Sequence, residues 1–244
     1  MRPGEPDDPR RRILIQALTA GMFSFGALAQ RALAAPLLGS RPAKLPPDRS
    51  IYRLSGNVTV NGAEANLQTR VYAGDTVRTG PDGEIIFVVG GNSMILRANS
   101  NLTLQSAEPE RTSLVVSVMR LATGALLSVS RNRAMKVFTQ TSTIGIRGTG
   151  FYAESDPEQT YFCTCYGVTD IEATADPESK TRVTATQHDR PLYIVKDGGR
   201  GKNIREAPFV NHTDQELMLI ETLVGRVPPF VFPKSEYLGP RRDY

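Results

Sequence analysis

Four residues have types and spacing that could support chemistry together: Cys163 and Cys165, one residue apart, and the chain's two histidines, His188 and His212. On a β-strand, residues two apart face the same way, so both sulfurs would converge. Their Cα atoms would then lie about 6.6–6.8 Å apart, the upper edge of what a disulfide spans, so a bridge would need a local kink. Three readings stay open. The pair can be structural thiols or a disulfide, favoured in an oxidising compartment. It can be half of a Cys₂His₂ set for zinc or another soft metal, completed by His188 and His212. It can also be a redox pair. The spacing matches no known finger pattern, and the histidines could equally be surface loop residues. An enzyme is not expected: no G-x-S-x-G nucleophile elbow occurs, and the carboxylates are scattered without a recognisable pairing.

A second distinctive stretch is Thr141–Phe151, with glycines at 145, 148 and 150. The spacing G-x-x-G-x-G is neither the dinucleotide-binding nor the P-loop pattern, and no helix follows to direct its amino end at a phosphate. The expected role is structural, a sharp strand-to-strand corner in which glycine permits a bend or a close backbone approach.

The elements that must position these residues are short β runs. Asn57–Gly62 ends in Asn-Gly, the strongest short hairpin signal because both residues tolerate positive φ. Runs at 75–78, 84–89, 93–96, 101–104, 114–120, 124–129, 135–139, 150–154 and 159–163 follow, separated by turn signals such as Gly80-Pro81-Asp82-Gly83. Further runs at 168–173, 182–186 and 192–195 precede the flexible turn at 197–201. Turns every 8–12 residues or so predict a sandwich or barrel rather than βαβ units. Near the end, Thr213-Asp214-Gln215-Glu216 is a capping box, Leu217, Ile220 and Val224 share a face, and Gly225 is a stop. This predicts one short helix over 214–224. With no Trp and 7% aromatic residues, the core must be built mainly from Val, Ile and Leu.

Residues 1–34 read as an export signal. A basic n-region ending in Arg10, Arg11 and Arg12 leads into the weakly apolar run 13–30, and Ala32-Leu33-Ala34 supplies a cleavage site. Arg10-Arg11-Arg12-Ile13-Leu14 is close to the twin-arginine pattern. An ordinary secretion signal or an uncleaved anchor are the alternatives, although the run is too polar for a permanent span of about 20 apolar residues. Of the 29 Lys and Arg and 25 Asp and Glu, five basic and three acidic residues fall within 1–34, so the remainder carries a net charge of +2. Its basic residues form no stripe interleaved with aromatics, so no nucleic-acid partner is expected.

The stretch Thr141–Phe151 resembles the hallmark strand of the FecR-like regulator family, with Arg147, Gly148 and Thr149 at its centre. Gly56-Asn57-Val58, Gly74–Gly80 and the turn at 121–124 match further elements in order, so the resemblance covers about residues 55–155. It implies a periplasmic β domain, which in the founding context senses an outer-membrane transporter and informs a sigma factor. The expected organisation is a signal over 1–34, a Pro-rich linker over 35–50, a FecR-like domain over 51–156, a β extension carrying Cys-x-Cys over 157–205, and a helix with its tail over 206–244. The expected fold is all-β, sandwich- or jelly-roll-like, with added C-terminal strands and the one helix. The expected function is an exported, non-enzymatic binding, sensing or scaffold module of the cell envelope whose partner is an envelope protein or polymer. A small periplasmic metal-binding protein is the alternative.

Overall fold

In the computed structural model of the chain, residues 43–107, 110, 112–130, 134–227 and 229 are described. The export-signal positions Arg10, Arg11, Ala32 and Ala34, the start of the linker and most of the tail lie outside them. Among the described residues fourteen strands and one helix run in order: β1 (Ile51–Ser55), β2 (Val58–Val60), β3 (Ala63–Glu64), β4 (Thr76–Thr79), β5 (Glu84–Val89), β6 (Asn92–Leu96) and β7 (Asn101–Gln105) come first. They are followed by β8 (Val118–Ser130), β9 (Ala134–Phe138), β10 (Ser142–Ser155), β11 (Gln159–Ala173), β12 (Asp176–Ala185), β13 (Leu192–Val195) and β14 (Ile204–Glu206), and then by one helix, α1 (Asp214–Leu223). The fold is all-β and sandwich-like. Among the described residues no helix is long and apolar enough to cross a membrane.

Hydrogen bonding connects the strands in the order β14-β13-β11-β10-β9-β8-β7-β4-β2-β3, with β12 also on β11 and the branch β1-β5-β6 joining at β8. Every pairing is antiparallel except β8 with β9. Local chemistry sets several of the turns. Asn61 and Gly62 take φ of 52° and 84°, the positive pair that a tight β2–β3 hairpin requires. The Gly83 amide donates to the Gly80 carbonyl at 3.0 Å and closes the turn before β5.

The longest strands differ from the sequence expectation. Runs read as separate strands on either side of Gly124, Gly148 and Gly167 are the single strands β8, β10 and β11. Each of these glycines has positive φ, between 60° and 94°, and bends its strand without ending it. Such a bend lets one strand serve two sets of neighbours. The first part of β10, 143–147, pairs with β9, whereas 150–155 pairs with β8. Arg147–Gly150 is therefore a bulged kink inside one strand rather than a corner between two, and the register on β11 shifts there. Thr149, buried, donates its hydroxyl toward the Arg147 carbonyl at 3.0 Å and the Val168 carbonyl at 3.1 Å, which satisfies backbone acceptors that the bulge disturbs.

Both faces of the central strands are buried, which is why Ile85–Val89 of β5 and Met94–Leu96 of β6 are uninterrupted apolar stretches. On one face Phe87, Met94, Leu96, Leu126, Phe151 and Phe162 join the main core. On the other, Ile86, Ile95, Leu127, Val129, Tyr152, Cys163 and Cys165 form a second cluster closed by Leu217, Ile220 and Leu223 of α1. Burying each of these three helix side chains is worth about 1.5–3 kcal/mol. The helix starts as expected: Thr213 caps the Glu216 amide, and the Glu216 carboxylate reaches back to the Thr213 amide. It ends one residue earlier than the pattern suggested, with Val224 as its C-cap.

Candidate metal centre

The site sits where β11 changes partners. Gln159–Phe162 of β11 pair with β13, and Gly167–Ala173 pair with β12, so residues 163–166 lie at the junction between the two. The β12–β13 loop fills that gap, and the His188 amide donates to the Cys165 carbonyl at 2.9 Å. The Asp189 carboxylate shapes the loop by accepting from the Thr186 amide at 2.5 Å and the Thr186 hydroxyl at 2.9 Å. His188 itself takes φ of 51°, an unusual conformation for a non-glycine residue, which aims its ring inward.

Cys163 and Cys165 point from β11 to the face that α1 covers; both are fully buried and unbridged. His212 arrives from the segment between β14 and α1. That segment is held where Tyr161 donates its hydroxyl to the Pro208 carbonyl at 3.0 Å and accepts from the Val210 amide at 3.2 Å. The His212 ring stacks on Tyr152 with centroids 4.5 Å apart, and Phe209 packs against both imidazoles.

The four sequence candidates are thus brought together: one donor atom from each of Cys163, Cys165, His188 and His212 lies within 4.8 Å of all the others. His212 Nε2 is 3.1 Å from His188 Nδ1, which is 3.5 Å from Cys163 Sγ. A tetrahedral zinc with bonds of about 2.0–2.1 Å to nitrogen and 2.3 Å to sulfur would set its ligand atoms about 3.3–3.8 Å apart. The two contacts above lie within a few tenths of an ångström of that spacing, and the widest pair, within 4.8 Å, would close by up to about 1 Å on binding.

The outer nitrogen of each histidine is tied down. His212 Nδ1 donates to the Val210 carbonyl at 2.8 Å, and His188 Nε2 donates to Asp214 Oδ1 at 2.8 Å. Gln187 donates to the other oxygen of Asp214, also at 2.8 Å. A carbonyl can only accept, so the tautomer of His212 is fixed with its Nε2 lone pair turned inward. His188, with its proton toward Asp214, likewise presents Nδ1. Two lone pairs facing each other at this range repel unless a proton or a cation lies between them. A carboxylate or carbonyl behind a ligating imidazole is the usual outer-shell arrangement of metal-binding histidine.

The electrostatics point the same way. Burial disfavours the Cys163 thiolate, but its neighbours Cys165, His188 and His212 together outweigh it and bring the thiol down to about 4. Burial, followed by the neighbouring Cys163 sulfur, pushes Cys165 well up. His188 loses basicity to burial but gains more from Asp214 and Cys163, and is raised to about 9. A low thiol beside a high imidazole describes one thiolate and one shared proton in the space where a cation would sit.

Cys163, His188 and Asp214 also follow the order nucleophile, base and orienting carboxylate. Here Cys163 has 0% exposure, so its sulfur is closed to solvent in this arrangement. Sequence reading missed the outer residues Asp214, Gln187 and Tyr152 and the Val210 carbonyl. The only signal for them was His212-Thr213-Asp214, in which Asp214 doubles as the first residue of a helix. Arg147, Gly148 and Thr149 take no part in the centre; Arg147 lies at the surface, 3.9 Å from Asp170.

No family model and no curated protein matches the chain. Two crystal structures of proposed anti-sigma factors from Parabacteroides distasonis are similar to it in part. One has a TM-score of 0.42 at 14% identity, covering 54% of this chain and 58% of its own. The other has a TM-score of 0.32 at 15% identity, covering 66% of this chain and 71% of its own. The chain thus spans well under two thirds of the length of the first.

Proposed function

We propose that the chain is an exported, non-catalytic β module of the bacterial cell envelope in which Cys163, Cys165, His188 and His212 hold a soft cation, zinc by preference, as a closed four-coordinate centre. One observation carries this reading: two buried imidazoles, each anchored on its outer nitrogen, turn their inner nitrogens toward one another and toward two buried sulfurs. Two nitrogen and two sulfur donors suit tetrahedral zinc, and four protein ligands leave no open position for a substrate or a catalytic water. The centre would act structurally, joining β11, the β12–β13 loop and the segment before α1. Transport by the twin-arginine route, which moves folded proteins, would let the domain load its cation in the cytoplasm and carry it into the periplasm. The FecR-like hallmark around Arg147-Gly148-Thr149 supports a sensing or scaffold role toward an envelope protein or polymer, with the centre as its internal brace.

Elemental analysis of protein purified without a histidine tag tests the reading. One equivalent of zinc is expected, and cobalt substituted for it should give the intense visible bands of a tetrahedral thiolate complex. Metal-free protein that takes up neither ion would sink the proposal and leave a binding module with buried structural thiols.

A further inference from the structure

We infer that cation occupancy latches the N-terminal half of α1 to the sheet, with Asp214 as the residue that couples the two. The inference rests on reading the four donors as metal ligands and adds a regulatory consequence of that site.

Asp214 has two roles. It is the first residue of α1, directly after the Thr213 cap, and its carboxylate receives His188 Nε2 and Gln187 Nε2. It is only 4% exposed, so these partners replace water. His212, two residues earlier, is itself a donor in the centre. A cation held by Cys163 and Cys165 on the sheet and by His188 in the loop would therefore restrain the first turn of the helix from both sides of its cap.

The opposite end of α1 is held independently. Glu221, fully buried, accepts from Tyr166 and from Arg226 Nε, the latter at 2.7 Å, and the Leu223 carbonyl accepts from the Leu45 amide at 2.9 Å. The helix has 10 residues, too few to persist in water without tertiary contacts. Release of the cation removes the tie that His212 and the Asp214-held His188 give the first turn, which then keeps to the sheet mainly through the Arg97–Glu216 ion pair at 3.1 Å and the buried Leu217. Loss of the cation should therefore loosen the helix from its N-terminus, leaving the last turn and the distal strands β4 and β7 in place.

Amide hydrogen exchange on zinc-loaded and chelator-stripped protein tests this. The expected result is a loss of protection on the order of tenfold or more at Glu216 and Leu217 after stripping, with Val224, Arg226 and the amides of β4 and β7 unchanged. Asp214→Asn keeps the size and the helix-start preference of the side chain but removes its charge. It should weaken zinc binding by about 10–100-fold while retaining the tetrahedral cobalt spectrum, and at saturating zinc it should restore protection of the first turn. Protein that binds zinc but shows equal helix protection with and without it would overturn the latch and leave the metal centre standing. Stripping that unprotects β4 and β7 as well would also overturn it, because the centre would then hold up the whole fold. Protein that binds no zinc or cobalt would remove the metal reading, and the latch with it.

Discussion

Strands β10 and β11 each carry an unusual stretch, and the two stretches lie close together, since Gly150 pairs with Tyr166 and Tyr152 with Cys163. Arg147–Gly150 is the more distinctive motif, and it is architectural both in the sequence reading and in the structure. Cys163-Thr164-Cys165, marked in sequence by its two sulfurs, gathers the chemistry. The difference lies in where the functional groups go. At 147–150 the glycines serve a kink, Thr149 satisfies main-chain carbonyls and Arg147 faces solvent. At 163–165 the ladder to β10 steps past Cys165, since Gly150 pairs with Tyr166 and Phe151 with Thr164, yet both sulfurs reach the covered face while Thr164 turns to the other, where its hydroxyl meets that of Thr169 at 2.7 Å. Rarity of a motif and reactivity of a site are separate properties, and substitutions in the two stretches should separate them.

The largest effects belong to β11. Cys163→Ser and Cys165→Ser should each abolish zinc uptake, and His188→Ala and His212→Ala should weaken it. With free zinc a thousandfold above Kd, bound metal adds about 4 kcal/mol to stability, so the serine variants should forfeit that increment. Thermal melts with and without zinc check this, the expected result being a melting temperature that no longer responds to the metal. Unaltered zinc response in either serine variant would remove that sulfur from the centre.

The same four residues predict a pH signature for metal-free protein. The depressed Cys163 thiol contributes stability that is complete above the ordinary thiol range and is lost as pH falls toward about 4. The elevated His188 contributes stability that is complete below about 6.5, its ordinary value, and is lost as pH rises through about 9. Between about 6.5 and 8.5 the two trends oppose each other, because folding takes a proton from the thiol and gives one to the imidazole. The pair's contribution should therefore be flat there and fall from about pH 6.5 toward pH 4. Comparing melts of metal-free wild type and Cys163→Ser isolates it. An acid slope that survives the substitution would place its origin elsewhere.

How much of this was legible in the sequence follows from the same physics. The Asn61-Gly62 hairpin and the capping box of α1 are local, and both formed as their residues specify. The glycines at 124, 148 and 167 were read as strand ends because local rules cannot tell a terminating glycine from one that bends a strand between two sets of neighbours. Gly124 illustrates the point: a Cβ there would lie 2.5 Å from the Ser100 Cα, a contact made by a residue 24 positions away. For the site, the cysteine pair and the two histidines could be named by type. Their convergence depends on the β12–β13 loop filling the gap beside 163–166, which is a matter of pairing. Asp214 was hidden because its local role as a helix-start residue already accounted for it.

Intermediate effects are expected at the kink. Gly148 has φ of 60° and nothing within 4 Å of an added Cβ, so Gly148→Val is opposed by backbone strain alone, about 1–3 kcal/mol. Gly148→Asn, which tolerates this conformation, should recover most of the loss. Thr149→Val keeps the shape of the side chain and leaves carbonyls short of a partner, for about 1–2 kcal/mol. Denaturant melts give these values, and zinc stoichiometry should stay at one throughout. A kink variant that folds normally but loses zinc would join the two stretches into one functional unit.

The smallest effect should come from Arg147, the most conspicuous residue of the motif. Its side chain is 68% exposed and its nearest acidic partner, Asp170, is held more closely by Arg182 at 2.6 Å. Exposed pairs of this kind contribute little, because solvent screens them and long side chains lose entropy on pairing. Arg147→Ala should therefore change stability by less than about 0.5 kcal/mol and leave zinc binding untouched. That silence is informative: an exposed arginine beside a kink that its own side chain does not stabilise is free to meet a partner. If Arg147→Ala folds, binds zinc and yet no longer retains an envelope component that the wild type captures, the kink presents a contact surface and β11 supplies the brace. A stability loss comparable to that of Thr149→Val would instead show that Arg147 serves the fold.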